Sequence, residues 1–276
     1  MMNRQFGKIL VTGATGLVGS RLLPRLVEAG YNCSALVRSK EVPVGVTPIE
    51  GDLFDQPTLQ EAVKDAVAII HLAAVFRSPD TDLIWKSNLE GTRNLINAVK
   101  RNAADARFIL ASTSNVYDAD NPHPGREDDA LSPQHAYPAS KAAAEKELRE
   151  SGLNGSVLRF PFVYGDGDGH LEELPKHVVA AKFHPAMRMS TIHHRDIYTA
   201  IMMALQGIMD GQVVNIADEA PITLYELLQL VGKPMASSAA PLVNPWHLHV
   251  DASLARGLGF RASVRTVYQA AQENLL

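Results

Sequence analysis

One cysteine, Cys33, stands in 276 residues, which excludes an internal disulfide and any cysteine-based zinc site and fits a reducing compartment. Set in an apolar stretch, its thiol is expected to be buried. An excess of one charge is missing too. Lys and Arg number 26 against 30 Asp and Glu, a net charge of -4, so no broad basic surface is available for nucleic acid or acidic lipid. Long hydrophobic runs are absent. The longest, Ala66 to Phe76, is too short to span a bilayer and contains His71. Arg4 and Lys8 precede an apolar run, but glycines interrupt it and no cleavage region follows. No export signal, membrane span, nucleic-acid partner or membrane partner is expected, and the chain reads as cytoplasmic. Internal repeats and low-complexity tracts are also lacking. At 46% hydrophobic residues the chain can bury one large core, with room for a small appendage.

What is present begins with Lys8-Ile-Leu-Val-Thr12-Gly13-Ala-Thr15-Gly16-Leu17-Val-Gly19. An apolar run at 9 to 11 reads as a buried strand, Thr12-Gly13 ends it, and Leu17, Leu22, Leu23, Leu26 and Val27 recur at helical spacing. Between them lies a turn suited to a pyrophosphate. Gly13 can take backbone angles barred to other residues, Gly16 lets a phosphate reach the main chain, and Gly19 permits close helix–strand contact. Backbone N–H groups and the positive helix end then face the anion.

Strand and helix signals alternate from there. Asn32 to Val37 reads as a second strand, and Arg38-Ser39-Lys40 follows it at the position where a dinucleotide fold chooses its cofactor. An arginine there can hold a 2'-phosphate by planar paired donors, so NADP is expected, with NAD the alternative through Glu41. Thr47 to Glu50 is a third strand, Pro57 to Val63 a helix, Val67 to His71 a fourth strand, Asp82 to Arg101 a long helix and Phe108 to Ala111 a fifth strand. This alternation predicts a Rossmann-like doubly wound parallel sheet with helices on both faces and ligands at the strands' carboxyl ends. Asp52 sits at such an end and can accept from an adenine amino group; His71 reads as a hydrogen-bonded strand-end histidine, not a catalytic one. Ser112-Thr113-Ser114 would line the site with hydroxyls. Asp118 to Pro138 reads as loop, with a helix starting near Tyr137. Tyr137-Pro-Ala-Ser-Lys141 puts a phenol and an ammonium one helical turn apart on the same face. An adjacent cation favours the phenolate, which makes Tyr137 a candidate acid or base.

These segments together resemble the extended short-chain dehydrogenase/reductase family, which includes NAD(P)-dependent epimerases, dehydratases and reductases. The resemblance rests on the glycine turn, Gly51-Asp52-Leu53, His71-Leu72-Ala73-Ala74, Asn88-Leu-Glu-Gly91-Thr92, Ser112-Thr113 before Val116-Tyr117, Tyr137-x3-Lys141 and Arg159-x3-Val163-Tyr-Gly165. It implies a catalytic set of Thr113, Tyr137 and Lys141, with Lys141 also holding the nicotinamide ribose. Cofactor contacts are then expected at Gly13, Thr15, Gly16, Leu17, Gly19, Arg38, Asp52, Leu53, Leu72, Ala73, Ala74, Asn88, Pro161 and Val163. The implied organisation is a Rossmann core over 1–164, with further core elements at about 193–217, and a small C-terminal substrate lobe from 165–192 and 218–276. Family members also dimerise through the helices at 82–101 and after Tyr137, so a homodimer is expected.

The second half is less regular. Gly155 to Phe160 is a sixth strand, Gly165-Asp-Gly-Asp-Gly169 a flexible connector in preference to a calcium loop, and Leu171 to Lys182 an amphipathic helix. Met187 to Ile192 reads as one strand, Ile197 to Leu205 as helix, Val213 to Ile216 as strand, and Thr223 to Val231 as a helix with the capping-box pair Thr223 and Glu226. Adjacent His193 and His194 diverge and are not expected to bind metal. Gly232 to Pro245 reads as a linker and Asp251 to Leu276 as a small helical tail. Dehydratases of the family follow the threonine with Asp-Glu, where this chain has Ser114-Asn115. Nucleotide-sugar enzymes commonly carry Asn where Phe162 stands, and Arg-Asp where Met189-Ser190 stand, with Arg188 one place away as a substitute. Without charge-assisted bonds a nucleotide diphosphate binds weakly. The expectation is therefore an NADP-preferring oxidoreductase of a small carbonyl or alcohol, with Ser114, Phe162 and Arg188 near the substrate. A nucleotide-sugar epimerase is the alternative, and a non-catalytic NADP-sensing protein the second.

Overall fold

The computed structural model describes residues 7–39 and 41–276. In chain order the elements are β1 (Lys8–Thr12), α1 (Gly19–Glu28), β2 (Asn32–Val37), β3 (Thr47–Glu50), α2 (Gln56–Val63), β4 (Ala66–His71), α3 (Thr81–Trp85), α4 (Gly91–Asn102), β5 (Arg107–Thr113), α5 (Ala136–Glu150) and β6 (Gly155–Phe160). Then come β7 (Phe162–Tyr164), α6 (His170–Ala180), β8 (Arg188–Met189), β9 (Thr191–His193), α7 (His194–Leu205), β10 (Val213–Asn215), β11 (Ile222–Thr223), α8 (Leu224–Leu230), α9 (Ser253–Gly257) and α10 (Val267–Gln272). Seven strands form one sheet in the order β10-β6-β5-β4-β1-β2-β3. The run β1, β2, β3 and the run β4, β5, β6 leave the centre in opposite directions. Pairings of β1 with β2 and β4, of β2 with β3 and of β4 with β5 are all parallel. Connections therefore reverse between β1 and β4, and the carboxyl ends of these two strands flank a crevice of the kind that binds ligands in open α/β sheets.

The chain forms two compact units. One comprises the chain up to Ser112, Pro133–Leu158 and Ile201–Val213. Its core gathers Leu10, Ile69, Phe108 and Leu110 from the sheet with Leu95, Val99 and Leu148 from helices, all buried. The sheet strands are apolar on both faces because helices cover both. The other unit comprises Thr113–Ser132, Arg159–Ala200 and Val214–Leu276, with a separate core of Tyr164, Leu171, Met189, Leu224, Leu227 and Val264. Thr223 caps α8 through the expected reciprocal pair with Glu226.

Three expectations change. The helix expected at 82–101 is interrupted by a π turn over Lys86–Glu90, where one extra residue in the turn rotates Asn88 into the core. The strand expected at Met187–Ile192 is two strands. Met189 pairs with Ile222 while Thr191 pairs with Phe162, and Ser190 between them is held by its own bonds to Leu248 and Val250. The 165–169 loop is not a loose connector: Asp166 and Gly167 donate their N–H groups to the carbonyls of Leu275 and Leu276, and Asp168 meets buried His194 at 2.8 Å.

Candidate active site

Gly13, with φ +73, turns the chain out of β1. A Cβ there would lie 2.6 Å from the Ala73 nitrogen, so the turn rests directly on the end of β4. A Cβ on Gly19 would lie 2.2 Å from the Gly13 oxygen, whereas one on Gly16 would meet only that oxygen, at 3.3 Å. The turn is packed shut behind and open in front, where Thr15, Gly16 and Leu17 are exposed. Helix α1 starts with no side-chain cap and no acidic residue in its first turn. At its start the Ser20, Arg21 and Leu22 N–H groups donate to the Gly16 and Val18 carbonyls, and the positive end of the helix favours an anion there. The open turn and the helix end suit a dinucleotide's pyrophosphate.

A buried chain of hydrogen bonds runs from this turn to the helix carrying Tyr137. Thr12 Oγ1 and His71 Nδ1 are 2.6 Å apart, His71 Nε2 and Thr92 Oγ1 2.8 Å. Thr92 spends its proton on the Asn88 carbonyl at 2.6 Å, so it must accept from His71, which fixes the Nε2–H tautomer and leaves Nδ1 to accept from Thr12. Asn88 Nδ2 donates to Ser140 Oγ at 3.0 Å, and Ser140 donates to the Tyr137 carbonyl at 2.7 Å. Asn88 also accepts from the Val75 N–H and donates to its carbonyl. With Asn88 fully buried and both amide hydrogens spent, the cofactor contact expected of it is corrected to a brace that ties the end of β4 to α5. Phe76, just beyond that brace, lays its ring 4.7 Å from the Tyr137 ring. The glycine turn, the end of β4 and the Tyr137–Lys141 helix thus share one edge of the sheet.

Burial sets the protonation there. His71 is fully inside, and desolvation, helped by the charge of Lys141, pulls it down to about 3. Lys141, 2% exposed, is pulled down to about 8 by desolvation, opposed by Glu145. Tyr137 is half-buried, and desolvation pushes it up to about 12. Burial thus acts on the phenol in the direction opposite to the lowering expected from its lysine neighbour. Cys33 is buried as expected, its thiol pushed up to about 11.

Other expected positions divide. Leu53 packs against Gly91 and offers its carbonyl to Asn94 at 3.0 Å. Asp52 is exposed, and its Oδ1 closes a local turn onto the N–H groups of Phe54 and Asp55. Leu72, Ala73 and Ala74 continue β4 past the turn. Arg38 is exposed beyond β2, and Lys40 lies outside the described residues. Thr113 ends β5, buried, with Oγ1 accepting from Asn115 N–H at 3.2 Å. In the same unit Phe162 stacks on His170 at 4.3 Å, Val163 pairs with Ile192, Pro161 separates β6 from β7, Ser114 is buried and Arg188 exposed. Ser112 was expected to line the site; its hydroxyl instead donates to Glu145. Nothing in the sequence reading flagged Glu145, although its spacing from Lys141 on the buried face of α5 was available.

This arrangement, a parallel sheet with a glycine turn at its reversal point and a Tyr-x3-Lys helix on the same edge, is that of the extended short-chain dehydrogenases/reductases. The chain belongs to the NAD dependent epimerase/dehydratase family, whose profile matches residues 9–217. By class it is an NAD-dependent oxidoreductase or epimerase. It is 29% identical over 247 residues to 4-hydroxy-2-methyl-3-oxo-4-farnesyl-3,4-dihydroquinoline-1-oxide ketoreductase of Stigmatella aurantiaca, covering 81% of this chain and 72% of that one. To UDP-glucose 4-epimerase of Azospirillum brasilense it is 30% identical over 173 residues, 57% of this chain and about half, 49%, of the relative. A short-chain dehydrogenase/reductase superfamily protein from Agrobacterium tumefaciens, solved with bound NAD, superimposes with a TM-score of 0.79 at 24% identity, covering 96% and 95% of the two chains; that likeness concerns the fold. Among the described residues no helix is long and apolar enough to cross a membrane.

Proposed function

We propose that the chain is an NADP-preferring reductase of a small carbonyl compound. One observation carries this reading: the hydrogen-bond chain from Thr12 to the Tyr137 carbonyl, which ties the phosphate cradle to the helix bearing the proton donor. The bound nicotinamide dinucleotide supplies the hydride. Tyr137, held protonated by its surroundings, gives the proton to the carbonyl oxygen; a phenol poised as donor suits reduction better than alcohol oxidation. Thr113 has an oxygen occupied by Asn115 but a hydroxyl proton without an acceptor among the described residues, and it orients the substrate oxygen. Lys141 places positive charge and an exchangeable proton on the same helical face as Tyr137 and holds the nicotinamide ribose. Arg38, exposed just beyond β2, receives a 2'-phosphate. Phe162, stacked on His170, offers an apolar face where a diphosphate would need a donor, which favours a carbonyl substrate over a nucleotide sugar.

The test is turnover of a panel of carbonyls and nucleotide sugars with NADPH or NADH, alongside Tyr137→Phe. Loss of about 10²–10⁴-fold is expected in that variant. Unchanged turnover would remove the proton relay, and interconversion of a nucleotide sugar without net cofactor change would replace reduction by epimerisation.

A further inference from the structure

We propose that Glu145 is a positioning residue for the proton relay: its buried carboxylate, held by the Ser112 hydroxyl, is the counter-charge that keeps the Lys141 side chain an ammonium at neutral pH. The inference rests on the relay reading above and adds to it a residue outside the Tyr-x3-Lys pattern.

Glu145 is fully buried and Lys141 nearly so, and they lie four residues apart on the inward face of α5 with Ser140, Ala144 and Leu148. Side chains at that spacing stand one above the other. A carboxylate withdrawn from water is costly unless something compensates it. Ser112, the residue before Thr113 on β5, donates its hydroxyl to Glu145, which fixes where the carboxylate sits. The compensation is mutual, since burial drives Lys141 toward the neutral amine while Glu145 opposes it. Among the described residues the titratable groups whose charge couples to Lys141 are Glu145 on its own helix and His71 on β4, with Tyr137 one turn away on α5. Tyr137 stays a neutral phenol and His71 a neutral imidazole, and the neighbouring Asn88, Thr92 and Ser140 are uncharged. Glu145 is left as the carboxylate opposing desolvation. Without it the lysine would lose its proton within the working range, and with the proton the charge that binds the ribose hydroxyls and refills the phenol.

The experiment follows Lys141 itself. Lysine labelled with 13C at Cε is titrated by NMR in the whole protein, the resonance assigned with Lys141→Met, and the pH profile of kcat/KM is measured in parallel. Glu145→Gln keeps the shape and removes the charge; its Lys141 midpoint should fall by about one pH unit or more, bringing the alkaline loss of activity down by the same interval. Ser112→Ala should move both in the same direction by less, and it decides the matter if the buried Glu145 variant does not fold. Glu145→Asp should recover part of the shift, which a purely structural role would not produce. A midpoint unmoved in a folded variant overturns the proposal while leaving Tyr137 as proton donor. Full turnover in Tyr137→Phe overturns instead the relay on which the proposal rests.

Discussion

Gly19→Ala isolates the packing behind the phosphate cradle. Gly19 does not need a positive φ, so alanine brings no backbone strain and its effect is steric. The new methyl would sit 2.2 Å from the Gly13 oxygen and 2.8 Å from the Ala14 Cα. Both are main-chain atoms, so no side chain can swing aside. Reaching ordinary contact requires α1 and the turn to separate by about 1 Å, an overpacking change that typically costs about 1–3 kcal/mol. If the cost falls on the cofactor-competent turn, affinity drops by roughly five- to 150-fold, at about 1.4 kcal/mol per tenfold. Isothermal titration with NADPH and NADH measures it. Gly30→Ala is the matched control: Gly30 has φ +84 and open space around its absent Cβ, so alanine there costs about 1–2 kcal/mol of stability through strain alone and leaves binding untouched. Wild-type cofactor affinity in folded Gly19→Ala, or equal weakening by Gly30→Ala, would refute the reasoning.

Two further outcomes are expected. Arg38→Ala should reduce the preference for NADPH over NADH by about tenfold or more, the worth of a charge-assisted hydrogen bond; an unchanged affinity ratio would remove Arg38 from cofactor choice. His71 should make stability fall on acidification, because its folded value of about 3 lies below the ordinary 6.5 and the unfolded chain therefore holds the extra proton between those limits. From pH 6.5 to 4.5 the loss should be about 2–3 kcal/mol, read by urea denaturation; the same slope in His71→Asn would show that other groups carry it.

The first half of the fold was legible because each signal there is local. The bounds of β2, β3 and β6 follow from short apolar runs between turn residues, and the Thr223–Glu226 cap from a spacing. The helical spacing of Tyr137 and Lys141 on α5 was legible for the same reason. What failed was direction and long-range pairing. A single sequence does not say whether Asn88 faces a ligand or a neighbouring helix; the π turn that rotates it inward leaves no compositional mark. Ser112 and Glu145 are 33 residues apart, and only the fold makes them partners. Met187 to Ile192 has one strand's composition, but Ser190 lets the chain change partners midway. At Tyr137 charge proximity is readable from spacing but burial, which raises the phenol, is not.

The same desolvation explains why the link from the glycine turn to the Tyr137 helix is made of neutral groups. Thr12, His71, Thr92, Asn88 and Ser140 each find partners without carrying charge, so the chain crosses the core at the cost of hydrogen bonds that replace those to water. An ionised member would need its own buried counter-ion. The tautomer of His71 follows from this economy: Thr92 gives its one proton to the helix, so the imidazole must give and Thr12 must supply, and a protonated imidazole would turn Nδ1 from acceptor to donor and leave the Thr12 proton without a place. Next to this link the buried charged side chains Lys141 and Glu145 lie one turn apart on a single helix. Acid that protonates His71 therefore breaks the link at its first joint, next to Gly13, and the cradle should loosen before the helix that carries Tyr137 does.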